Sequence, residues 1–177
     1  MGYTVTLAEI TSLSGGEICA FMFRATNSEG KSSDSAIFSA AFADAVSTVN
    51  TPTKLAAESS QTSITISWDE VASTQLPGGA VTGYRVYMRK ANGGEKIVVY
   101  EKNNLKSVRK YTASQLVTEQ EYIFSVQAYQ YNGWAAESTE VTIKACGKPS
   151  LLYPPTIVTP SSTKFELQWD PPVSCGG

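Results

Sequence analysis

The sequence predicts an all-β chain built of two-sheet sandwiches in tandem, and two observations carry the prediction. From Thr51 to Lys148 apolar and polar residues alternate, turn signals interrupt them every few residues, and no helical periodicity shows. Parts of that stretch also recur at both ends of the chain. Leu116–Ser138 aligns without a gap on Leu13–Ser35, setting Leu116 on Leu13, Phe124 on Phe21, Ala128 on Ala25, Gly133 on Gly30 and Ser138 on Ser35. Ser63–Asp69 (SITISWD) aligns on Lys164–Asp170 (KFELQWD). Both matches lie about a hundred residues apart, and self-similarity at a fixed period marks an array of like units. The 177 residues therefore read as one complete unit, 49–148, preceded by the back end of a unit, 1–48, and followed by the front end of another, 149–177. Three strands are expected in the first piece and two in the last, too few to close a core. The expectation is a segment of a longer polypeptide.

The elements of the complete unit follow in order. After Pro52, Leu55–Glu58 is expected as a short first strand. Ser63–Trp68 turns Ile64, Ile66 and Trp68 inward against Thr65 and Ser67. A loop with Pro77-Gly78-Gly79 leads to Gly83–Arg89, where Tyr84, Val86 and Met88 oppose Arg85, Tyr87 and Arg89. Ala91-Asn92-Gly93-Gly94, rich in residues that accept positive φ, turns the chain into the partner strand Lys96–Glu101. Lys110–Ser114 is short. Glu121–Tyr129 sets Tyr122, Phe124, Val126 and Ala128 against Ile123, Ser125 and Gln127, and after Asn132-Gly133 the last strand is Thr139–Ala145. Seven short strands with alternating faces suit two sheets packed about 10 Å apart. Trp68, Tyr84, Tyr122 and Phe124 are the expected centre of the core, since large aromatics dominate such cores; an aromatic ligand site is the lesser reading.

Ile64-Thr65-Ile66-Ser67-Trp68, then Gly83-Tyr84-Arg85-Val86-Tyr87, then Leu116 with Tyr122, Phe124, Val126 and Ala128, then Gly133 with Ser138, together resemble a fibronectin type III domain. The resemblance implies an immunoglobulin-like β-sandwich. It places Trp68 as the family's second-strand tryptophan. It makes Leu116 and Tyr122 the tyrosine corner, whose phenol bonds back to the preceding turn. It covers the complete unit and, in part, both end pieces. Two departures stand out. Cys19 replaces Tyr122 in the first piece, and the family's Arg-Gly-Asp loop motif is absent, its place taken by Tyr129-Gln130-Tyr131-Asn132-Gly133-Trp134.

Net charge is −2, against a dedicated nucleic-acid binder, but the charge is uneven. Residues 84–110 hold eight basic residues, Arg85, Arg89, Lys90, Lys96, Lys102, Lys106, Arg109 and Lys110, against Glu95 and Glu101. This is either a solvated sheet face or a docking patch for an acidic neighbour. No run of eighteen apolar residues occurs, so no transmembrane helix is expected. Catalysis is hard to place. There is no histidine, no paired-cysteine zinc spacing and no glycine-rich loop opening a helix, so neither cofactor nor metal is expected.

Tyr131 and Trp134, with Tyr129, are the best candidates for protein contact, and Arg85, Arg89 and Lys90 of the basic stretch join them. The alternative for Trp134 is packing on the linker between units. By the family resemblance, Cys146 after the last strand and Cys175 in the next unit's second loop face each other across a junction. A bridge there would contribute roughly 3 kcal/mol and imply an oxidising compartment; the alternative is two free thiols. Cys19 reads as a small buried hydrophobe.

The expected function is a non-catalytic structural or adhesive module, a spacer or filament segment whose partners are other proteins, neighbouring repeats or copies of itself. Short junctions at Ala43–Thr51 and Gly147–Pro155 would limit bending. The alternatives are a receptor-type module binding through Tyr131–Trp134, and an intracellular cytoskeletal or axonemal scaffold. An extracellular or cell-surface location is favoured over the cytoskeleton.

Overall fold

The structure is a computed structural model that describes residues 14–73, 78–147 and 151–172. The first piece holds β1 (Ile18–Phe21), β2 (Thr26–Asn27), β3 (Gly30–Lys31) and β4 (Phe38–Ala41). The complete unit holds β5 (Thr53–Lys54), β6 (Ile64–Ser67), β7 (Gly83–Lys90), β8 (Ile97–Lys102), β9 (Lys110–Ala113), β10 (Glu121–Gln130), β11 (Gly133–Trp134) and β12 (Val141–Lys144). The last piece holds β13 (Thr156–Pro160) and β14 (Phe165–Gln168).

Two antiparallel sheets make the complete unit. One runs β5-β6-β9; the other runs β8-β7-β10, with β11 and β12 pairing successive stretches of the far edge of β10. Alternation on each strand buries one face. Ile64, Ile66 and Trp68 from the smaller sheet meet Tyr84, Val86, Tyr122, Phe124, Val126 and Ala128 from the larger. Tyr84, Phe124, Ile64 and Ile66 are fully buried, and the rings of Trp68 and Tyr84 meet edge-on at 5.6 Å. This is an all-β sandwich, as the alternation predicts. Leu116 is also buried, and beside it the Val117 amide donates to the Tyr122 hydroxyl at 3.0 Å.

The first strand departs from expectation. Leu55–Glu58 is not a strand. Pairing with β6 runs through Thr53 and Lys54 to the Leu55 amide, and Ala56–Glu58 then forms a 3-10 turn. The Ser59 hydroxyl explains the switch. It donates to the Leu55 carbonyl at 2.9 Å and accepts the Thr65 amide at 3.0 Å, a local side-chain alternative to the ladder. The turn lies over Thr65, which is buried although alternation points it outward. Its hydroxyl donates to the Glu58 carbonyl at 2.8 Å.

The repeat seen in the sequence is also a repeat of hydrogen bonds. Ile18 pairs with Ala41 and Phe21 with Phe38, while Glu121 pairs with Lys144 and Phe124 with Val141. Asn27 pairs with Gly30, and Gln130 with Gly133. The Phe23 amide donates to the Ser35 hydroxyl at 2.9 Å, and the Val126 amide to the Ser138 hydroxyl at 3.0 Å. At the other end, the turns before β6 and β14 match. The Ser60 amide donates to the Ser63 carbonyl, and the Ser161 amide to that of Lys164. The pieces differ in burial. Phe165, Leu167 and Trp169 are exposed, whereas the aligned Ile64, Ile66 and Trp68 are core.

Candidate interaction surface

Alternation along β7 points Arg85, Tyr87 and Arg89 away from the core, onto the outer face of the larger sheet. The register of β10 sets Gln127 beside Arg85 and Ser125 beside Tyr87. The β10–β11 pairing sets Trp134 against Tyr129, ring centres 4.7 Å apart. The Arg85 guanidinium then lies over the Trp134 ring, 4.0 Å from its centre, and donates to Glu101 at 2.7 Å and to the Tyr87 hydroxyl at 3.0 Å. The Lys96 ammonium sits 5.2 Å from the centre of the Tyr87 ring. Cations and aromatic faces interleave across the sheet, each contact drawing a cation to the negative face of a ring. Burial opposes the Arg85 charge, but its hydrogen bonds to Tyr87 and Glu101 outweigh that and raise its pKa.

The basic stretch is largely neutralised from within. Arg85 pairs with Glu101, Arg89 with Glu140, Lys96 with Glu137 and Glu140, Arg109 with Glu70, and Lys110 with Glu58. Among the described residues Lys90, Lys102 and Lys106 carry no such pair. Glu137 accepts from both Lys96 and the Ser125 hydroxyl.

A pH dependence follows. Burial disfavours ionised Glu137, yet the bonds from Lys96 and Ser125 prevail and hold its carboxyl below the usual range. Bonds from Arg89 and Lys96 hold Glu140 low as well. A carboxyl lowered on folding stabilises the fold above its unfolded pKa, and the contribution is lost as pH falls through the folded value. The complete unit is expected to lose stability below about pH 4.3, and Glu137→Gln with Glu140→Gln to flatten that loss. Thermal melts between neutral and acid pH check it; an unchanged acid limb in the double variant refutes it.

Trp134 is half-buried on the sheet face against Tyr129 and Arg85, while Tyr131 is exposed at the loop tip. Lys90 is exposed at the far end of β7. The structure thus gathers Arg85, Arg89, Tyr129 and Trp134 and leaves Tyr131 and Lys90 apart. Cys146 is buried, its sulfur accepting from the Lys54 ammonium at 3.4 Å, and Cys175 lies outside the described residues. Cys19 is half-buried on β1. Among the described residues no cluster of acidic or cysteine side chains could hold a metal ion, and no helix is long and apolar enough to cross a membrane.

Sequence reasoning missed Asn132, Gly78 and Gln130. All three meet the first piece: Asn132 bonds Ala41, Gly78 bonds Gly16, and Gln130 bonds the Asp44 carbonyl. Each was legible only as turn or strand chemistry.

Comparison with known proteins gives a family match. The model of the fibronectin type III domain matches residues 50–144. Among curated proteins, Protein sidekick-1 of Mus musculus is 31% identical over 116 residues, 62% of this chain and 5% of its own length. Protein sidekick-1 of Gallus gallus is 31% identical over 117 residues, with the same coverage. The matched stretch is thus a small fraction of either relative. Among solved structures, the chicken CNTN1 FN1–FN3 domains match at TM-score 0.48 and 18% identity, over 76% of this chain and 45% of that one. A myokine structure matches at TM-score 0.48 and 24% identity, over 57% of this chain and 98% of that one.

Proposed function

The chain belongs to the fibronectin type III family, and from that premise we propose that it is a non-catalytic adhesive segment of a tandem array. On this reading 49–148 is a whole unit, and 1–48 and 149–177 are parts of its neighbours. One observation carries the proposal: the hydrogen-bond register of the complete unit recurs in the piece before it, and the turn that opens β6 recurs before β14 in the piece after it. Units in series extend a chain and present their faces to other proteins.

The face that makes contact is the outer surface of the larger sheet. It holds Arg85, Arg89 and Lys96 against Glu101, Glu137 and Glu140, three charges of each sign interleaved. Such a face is electrostatically self-complementary and fits another copy of itself better than a uniformly acidic partner. Trp134 and Tyr129 supply the apolar area that anchors a contact. The tip of the Tyr131–Trp134 loop is less suited, because Asn132 is already engaged with the first piece.

Beads coated with the whole chain test this. Wild-type beads are expected to cluster, and Trp134→Ala to weaken clustering at least about tenfold while the chain still melts cooperatively. Truncation removes a cation–π contact of about 0.5–1 kcal/mol and the ring contact with Tyr129, about 0.5–1.5 kcal/mol, so melting falls by no more than about 20 °C. Wild-type beads that stay dispersed would sink self-contact through this face, and equal clustering by the variant would remove Trp134 from it.

A further inference from the structure

We propose that Asn132 and Gly78 form a latch that holds the preceding unit at a fixed orientation on the complete sandwich. Asn132 takes both backbone groups of one residue across the joint. Its side-chain oxygen accepts the Ala41 amide at 2.8 Å, and its side-chain nitrogen donates to the Ala41 carbonyl at 2.8 Å. An amide side chain used this way stands in for a neighbouring strand. The Gly78 amide donates to the Gly16 carbonyl at 2.9 Å. Here a missing side chain is the requirement. A Cβ on Gly78 would lie 2.3 Å from the Ala41 Cβ and 2.8 Å from the Gly16 oxygen. Gln130 adds a bond to the Asp44 carbonyl at 3.3 Å.

Burial agrees with this geometry. Most of the described first piece is exposed, yet Gly16 and Ala41 are buried, and what lies over them is the pole of the complete unit. The connecting segment is held too, because Val49 is part of the sandwich core and Val46 packs on it. The joint has little freedom left at either side of the linker.

The first piece's half of the latch does not recur at the far end of the complete unit. In the hydrogen-bond repeat, Gly16 corresponds to Glu119 and Ala41 to Lys144. The complete unit therefore presents an ion pair, Lys144 with Glu119, where the first piece presents a glycine and an alanine. A long charged pair does not admit the close approach that Gly78 makes. β12 carries Lys144 in the same register that Ala41 has in β4, so a lysine at position 41 is compatible with the strand but not with the latch.

This goes beyond the adhesive reading and does not depend on it. The test uses the intact 177-residue chain, with amide hydrogen exchange and residual dipolar couplings measured together. In wild type, the amides of Ala41 and Gly78 are expected to be protected, and couplings from β1 and β4 to fit the same alignment tensor as those from β6, β7 and β10. Asn132→Ala and Ala41→Lys are each expected to speed exchange at residues 41 and 78 by about tenfold and to separate the two tensors. Val126 in the core should keep its protection. Two tensors in the wild-type chain would overturn the latch, as would variants that leave both exchange rates and the single tensor intact. Neither result touches bead clustering, so the two proposals fail separately.

Discussion

Replacing Phe124 by alanine is expected to destabilise the complete unit by about 3–5 kcal/mol, the range for removing a buried aromatic ring. Phe124 has no exposed surface and stands within β10, paired with Met88 of β7 on one side and Val141 of β12 on the other. The cavity would open where three strands of the larger sheet meet, and backbone pairing on both edges limits collapse into it. A small domain has about 5–15 kcal/mol of stability in all, so the melting temperature should drop by at least about 12 °C. Phe21 is the built-in control. It occupies the same place in the repeat, paired with Phe38, but it is only half-buried and its ring lies 6.4 Å from that of Phe42. Phe21→Ala is expected to leave the main transition within about 1 kcal/mol of wild type. Urea titrations of both variants decide the matter. Equal losses would mean that the first piece contributes as much cohesion as the sandwich, against its burial.

The contrast between these two phenylalanines also marks what the sequence made legible. Strand positions and inward residues could be read because alternation and burial are one constraint: Ile64, Ile66, Tyr84 and Phe124 are buried because the pleat turns them inward. The repeat could be read because the same register demands the same glycine and serine at Gly133 and Ser138. What depends on a single local bond was hidden. The Ser59 hydroxyl replaces the ladder after Leu55, and nothing in the spacing of apolar residues signals it. The outer face was half legible. Alternation placed Arg85 and Arg89 on it, but the carboxylates that pair with Arg89 and Lys96, Glu140 and Glu137, come from the segment just before β12, more than about forty residues on. A charge count along the chain sees the basic run and, of its partners, only Glu101. The joint was the least legible part. Asn132-Gly133 and Gly78-Gly79 are ordinary turn residues in sequence, and their engagement with Ala41 and Gly16 exists only once the units are placed.

Gly83→Ala is the second large effect to expect, and it turns on backbone approach instead of cavity. The added methyl would lie 1.9 Å from the Lys102 carbonyl oxygen, 2.7 Å from its carbon and 2.6 Å from the Asn103 Cα. All three are main-chain atoms, so no rotamer change relieves the collision. Gly83 is held on its other side by pairing with Tyr129 of β10, and the next residue, Tyr84, is fully buried opposite Trp68. β7 therefore cannot retreat without disturbing the core. The end of β8 must move, and the pairing of Tyr84 with Lys102 and Arg85 with Glu101 is lost first. Overpacking of this kind costs about 3 kcal/mol. It should also loosen Arg85 from Glu101, and with it the cation over Trp134. Gly93→Ala separates this from a general intolerance of substitution at glycine. Gly93 has open space around it but a φ of +99°, so an alanine there meets only the backbone strain of about 1–2 kcal/mol. Thermal melts and exchange at the β8 amides distinguish the cases. Loss of β8 protection in Gly83→Ala, with β8 intact in Gly93→Ala, is the expected pair. If Gly83→Ala melts with wild type, the last residues of β8 yield freely, and the close approach of the two strands is not what keeps a glycine at the head of β7.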